Sequence, residues 1–150
     1  MNKISKELIK IFKKNFKFKS LHLHEPDLDS SEINYLKNCI ISNEVSSQGK
    51  FVKKFEDKIS KLTKAKYIIT ANSGTSALHI ACILMNIKEN DEVLVPSFTF
   101  VGTANAVKYC GAIPHFVDIE EKNLGINVKK LNNYLNKIVI KKKNFCINKL

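Results

Sequence analysis

The chain has no arginine. All 25 basic residues are lysine, against 14 acids, for a formal charge of +11. A guanidinium fork is the usual reader of guanine edges and phosphate pairs, so its absence counts against a nucleic-acid surface. The charge distribution counts against one too: residues 1–19 carry +6, residues 126–150 carry +7, and residues 20–125 carry −2. The basicity therefore belongs to the ends of the chain. No C-x-x-C pair occurs among Cys39, Cys82, Cys110 and Cys146, and no spacing marks a zinc site or a disulfide framework. Small buried thiols in a reducing compartment are expected, and no metal site. No apolar run approaches the ~20 residues of a membrane span. The Lys-rich N-terminus lacks the apolar core and cleavage site of a secretory signal. The expectation is a cytoplasmic protein with no membrane span and no nucleic-acid partner. Nucleotide loops are missing as well: Asn72-Ser73-Gly74-Thr75-Ser76 holds one glycine and no lysine, so it is neither G-x-x-x-x-G-K-[ST] nor G-x-G-x-x-G.

What is present has a clear order. Ile4, Leu8, Ile11, Phe12 and Phe16 recur at helical spacing with lysines between them, predicting an amphipathic surface helix over 2–19. Membrane-surface binding is a second reading of the same pattern. Residues 21–27 read as extended. Asp29-Ser30-Ser31-Glu32 reads as a helix start, with the helix running to Ile41. Residues 42–50 read as a loop, and 51–62 as a helix with Phe51, Phe55, Ile59 and Leu62 on one stripe. From there the chain alternates: strand 67–71, helix 76–85, strand 92–95, helix 99–109 stopped by Gly111, and strand 112–118. A short helix follows over 128–135. Short strands alternating with helices imply a parallel α/β sheet, whose ligands bind beyond the carboxyl ends of the strands. The loops 72–76 and 96–100 both follow such ends. The apolar runs 138–140 and 145–147 have nothing after them to pair with, so the chain reads as the N-terminal part of a longer protein.

A strand that turns through small residues into a helix leaves backbone N–H groups free at the helix start. With the helix dipole they make a seat for a phosphate. The amides near Thr75 and Ser76 and the Thr75 hydroxyl are the candidate grip. An ordinary helix cap accounts for the same residues. At the next loop Phe100 could stack on a flat ring, while Phe98 reads as core. His79 reads as packed.

Five pieces in order resemble one family: Gly49-Lys50-Phe51-Val52-x-x-Phe55-Glu56; Asn72-Ser73-Gly74-Thr75-Ser76-Ala77-Leu78-His79; Asp91-Glu92-Val93; Val95-Pro96-Ser97-Phe98-Thr99-Phe100; and Gly111-Ala112-x-Pro114-x-Phe116-Val117-Asp118. Residues 23–131 look like the start of a DegT/DnrJ/StrS-type sugar aminotransferase, a class dependent on pyridoxal 5'-phosphate (PLP).

The resemblance implies the N-terminal part of the large domain of the aspartate aminotransferase-like fold, a mostly parallel sheet with flanking helices. Residues 1–20 would be a helical extension, and 21–150 a partial large domain truncated at its C-terminus. It also implies cofactor-phosphate binding by Gly74, Thr75 and Ser76, and ring stacking by Phe100. The loop with Ser47 and Gly49 would line the sugar site, and the whole protein would be a homodimer. The substrates implied are a nucleotide-linked keto sugar and an amino donor, commonly glutamate. The run 45–52 most resembles the branch acting on UDP-linked 4-keto sugars. Asp118 is not expected to partner the cofactor. The family's Schiff-base Lys, and the Asp facing the pyridine nitrogen, fall beyond residue 150. No catalytic residue is therefore assigned, and the chain alone is expected to be inactive. Two other readings stay open: a PLP-dependent sugar dehydratase of the same family, and a non-catalytic module that binds a phosphate ligand or a partner.

Overall fold

The computed structural model describes residues 2–16, 26–143 and 145–149. They form two compact units, Met1–Phe55 and Glu56–Leu150. The extended reading of 21–25 and the helical reading of 17–19 fall outside the described residues.

The first unit holds helices α1 (Lys3–Asn15) and α2 (Ser30–Ile41) and the start of α3 (Lys50–Thr63). Asn2 caps α1 by accepting from the Ser5 amide. Asp29 caps α2 in a reciprocal box with Glu32, as the sequence predicts. These hydrogen bonds to backbone and Ser31 amides hold both carboxyls below the usual range. The Phe51 ring lies edge-on to Tyr35 at 5.5 Å, and Lys50 pairs with Glu44 at 2.9 Å. Gly49 is buried in the turn before α3, where a Cβ would stand 3.0 Å from the Glu44 carbonyl oxygen.

In the second unit α4 (Gly74–Leu84) leads to strand β1 (Glu92–Pro96), then α5 (Val101–Tyr109), then β2 (Ile113–Val117). The two strands are parallel, with Val95 opposite Phe116. Gly111 ends α5 at φ +74°, a conformation that costs a Cβ-bearing residue about 1 kcal/mol. The core is small: Val95, Val107 and Ala112 are buried, and Cys82, Ile87, Val93 and Cys110 pack against them. The thiols, expected buried, are not: Cys82 and Cys110 are half-buried against this core, Cys39 is half-buried and Cys146 is exposed, because the core is too small to enclose them. Partial burial pushes the Cys110 thiol up. Helix α6 (Val128–Ile138) follows, three residues longer than the sequence pattern suggests.

Two strand expectations need correction. Residues 67–71 form no ladder among the described residues. A strand exists only where a neighbour takes its hydrogen bonds. Here the Thr70 amide and hydroxyl both donate to Glu56 Oε1 at 3.0 Å. The parallel sheet thus has two strands rather than three. The apolar runs near the C-terminus do find a partner, which is each other: β3 (Val139–Lys142) and β4 (Phe145–Asn148) pair antiparallel.

Candidate functional site

The loop after residue 71 turns into α4 through Ser73, whose backbone is extended (φ −156°, ψ 159°). That geometry places the Ser73 hydroxyl oxygen on the Ser76 amide at 3.1 Å and beside the Ser76 hydroxyl at 3.0 Å. The Ser73 carbonyl accepts from Ala77. Helix α4 consequently starts at Gly74, two residues earlier than the apolar pattern suggests. The expected free amide at Ser76 is already engaged by the cap. The amides of Gly74 and Thr75 have no acceptor among the described residues.

The loop after β1 turns into α5 through Phe100, which occupies the cap position but offers no side-chain acceptor. The first turn of α5 is thus open at its amide end. Thr99 and Thr103 hydroxyls meet at 3.1 Å beside it. Both loops emerge together, because α4 and α5 pack on each other and their first turns converge at Gly102. A Cβ built on Gly102 would stand 2.5 Å from Thr75 Oγ1, and 3.0 and 3.1 Å from Cδ1 and Cε1 of Phe100. Gly102 is buried, while the Phe100 ring is 74 % exposed.

The arrangement therefore joins two helix N-termini, two uncapped α4 amides, the Thr75 hydroxyl and one open aromatic face. Two positive dipole ends attract an anion. An exposed ring next to them offers a platform for a flat heterocycle. The fit to PLP's phosphate and ring is a chemical one: donors, dipole and ring lie on one rim. Of the residues the sequence names, Gly74, Thr75 and Phe100 lie on this rim, and the Ser76 amide is taken by Ser73. Sequence reasoning missed Gly102, whose only signal was a glycine inside a predicted helix. Phe98, expected in the core, is 65 % exposed, because it sits in the loop beyond Pro96 rather than on β1. His79 packs as expected, half-buried and edge-on to Tyr109 at 5.4 Å. Asp118 is engaged by Lys130 at 2.7 Å, and that bond holds its carboxyl below the usual range. Ser47 and Gly49 belong to the first unit.

A second polar group lies elsewhere. His115 Nδ1 meets Glu92 Oε2 at 2.5 Å and its Nε2 meets the Tyr134 hydroxyl at 3.0 Å. Asn148 donates to both Glu92 oxygens. Glu92, His115 and Asn148 line an open cleft of about 1230 Å³ that none of Gly74, Thr75 or Phe100 lines. No helix among the described residues is long and apolar enough to cross a membrane.

Comparison with known proteins follows the same lines. The DegT/DnrJ/EryC1/StrS aminotransferase family profile matches residues 26–140. GDP-perosamine synthase of Vibrio cholerae is 41 % identical over 115 residues, covering 77 % of this chain and 31 % of that protein. The chain thus spans about a third of the length of that relative. A DegT DnrJ EryC1 StrS aminotransferase from Brucella abortus superposes with a TM-score of 0.61 at 27 % identity, over 76 % of this chain and 34 % of that one. GDP-4-keto-6-deoxy-D-mannose-3-dehydratase of E. coli, solved with bound hydrated PLP, superposes at 0.64 over 76 % of this chain and 31 % of that one; at 23 % identity this likeness is one of fold. The fold is thus that of the PLP-dependent aminotransferases, with a parallel sheet and flanking helices, and the chain belongs to the DegT/DnrJ/EryC1/StrS aminotransferase family.

Proposed function

We propose that this chain is the cofactor-phosphate-binding part of a PLP-dependent aminotransferase that moves an amino group, from glutamate, onto the keto carbon of a nucleotide-linked sugar. The convergence of Thr75, Gly102 and Phe100 at the joined starts of α4 and α5 carries the reading. PLP, when bound, supplies the electron sink for breaking bonds at the carbon that carries nitrogen. The Gly74 and Thr75 amides and the Thr75 hydroxyl would hold its phosphate. Phe100 would cover one face of its ring and keep water from it. Ser76, engaged with Ser73, would act through the cap rather than through its own amide. Ser47 and Gly49 would shape the sugar end.

Several exposed apolar residues support a larger assembly. Helix α4 is apolar on most sides yet has no buried residue. Tyr67 and Ile69 are 79 % and 90 % exposed. Such faces suit burial against the rest of a large domain and a second subunit. In this reading residues 21–150 are part of that domain, the whole enzyme is a cytoplasmic homodimer, and the chain alone does not transaminate. The V. cholerae relative carries GDP in its name, whereas the run 45–52 resembles the UDP branch; competition between the two nucleotide sugars for the whole enzyme decides.

The reading is tested on the chain itself by titrating labelled protein with PLP and following backbone amide resonances. Shifts confined to Gly74, Thr75 and the start of α5, lost in Thr75→Ala, are expected. Borohydride should fix no single lysine. Shifts scattered over the lysine-rich ends instead would remove the site.

A further inference from the structure

We propose that α1 is an interfacial helix that seats the chain on an anionic lipid bilayer. Ile4, Leu8, Ile11 and Phe12 recur at i, i+4, i+7 and i+8, within roughly 100° of arc at the helical step. Lys3, Lys6, Lys10, Lys13 and Lys14 take the opposite side, with Glu7 the single acid. No residue of α1 is buried, and the four stripe residues are between 47 % and 67 % exposed. The helix end is closed locally, since Asn2 accepts from the Ser5 amide and hydroxyl at 2.8 Å each. A 13-residue helix is marginal in water on its own, so its stripe calls for a cover.

Charge selects the occupant. A second copy offers little net negative charge to the lysines, because residues 20–125 carry only −2. A nucleic acid would engage the lysines and leave the apolar stripe wet. An anionic bilayer takes both: the stripe enters the acyl boundary while the lysine stems reach up to the headgroups. Lys17 and Lys19 extend the basic run in sequence. The helix also precedes the family-matched segment, which begins at residue 26, so the shared aminotransferase fold does not account for it. At about 1.5 Å per residue it is far too short to span and would lie in the plane.

The test is co-sedimentation of the whole chain with phosphatidylcholine vesicles containing about 30 mol % phosphatidylglycerol, against pure phosphatidylcholine. Binding at least about tenfold tighter to the anionic vesicles is expected, weakening as salt rises. Leu8→Asp with Phe12→Asp should abolish it while leaving the PLP-induced shifts at Thr75 in place, so failure here is separable from failure of the cofactor reading. Should those carboxylates unfold the chain, Lys6→Gln with Lys10→Gln and Lys13→Gln decides, with an expected loss of about tenfold or more. Equal sedimentation with both vesicles would overturn the proposal. So would binding that survives both variants, which assigns it to the C-terminal lysines. So would a vesicle-independent dimer that the aspartates dissolve, which assigns the stripe to a second copy.

Discussion

Thr75 and Gly102 are in contact across the starts of α4 and α5: the Thr75 hydroxyl oxygen occupies the space that a side chain on Gly102 would enter. One backbone position without a Cβ thus lets the hydroxyl stand between the two helix ends. Gly102→Val places a branched carbon 2.5 Å from that oxygen and 3.0 Å from the Phe100 ring, so both must move. PLP-induced amide shifts at Thr75 should weaken about tenfold or more, as for a lost charge-assisted hydrogen bond. Unaltered shifts in the folded variant would show that Thr75 is free to swing without loss.

Phe100 lies against Gly102 with most of its surface exposed. Phe100→Ala should leave thermal stability within about 0.5 kcal/mol, because little area is buried there. PLP binding by the whole enzyme should fall by about 1–3 kcal/mol. Equal binding by both proteins, measured by cofactor titration, would take the ring out of the site.

Glu92 has its carboxyl held below the ordinary value of 4.5, first by the His115 hydrogen bond and then by Asn148. A lowered carboxylate pKa adds stability that is present above the unfolded value and lost as pH falls through the folded one. Urea midpoints of the wild-type chain and Glu92→Gln should therefore differ at pH 6, with the gap closing progressively as pH falls from 4.5 through the lower folded value. A constant gap across that window would mean that the bonds, not the charge, stabilise the cluster.

Val95 is 2 % exposed and sits at the centre of the small core. Val95→Ala should cost about 1–3 kcal/mol in denaturant unfolding, from lost burial and the space left behind. With so few buried residues the loss should be visible in the fraction folded at room temperature. A change under 0.5 kcal/mol would mean that the strands close over the gap.

The chain's own residues determined a good deal. Asp29 with Glu32, Gly111 after α5 and the apolar stripes of α1 and α3 act over a few neighbouring positions, so periodicity and caps reveal them. The order of small-residue loops and apolar runs marked the family and named Thr75 and Phe100 as candidates. Tertiary structure decided the rest. Residues 67–71 have strand composition but form no ladder among the described residues, and the Thr70 donors go to Glu56 instead. The β3–β4 pairing, the Glu92–His115–Tyr134 chain and the approach of Gly102 to Thr75 join residues that local pattern cannot relate. Local periodicity is written in side-chain spacing. A meeting of distant residues depends on how helices pack and strands register, which no single segment encodes.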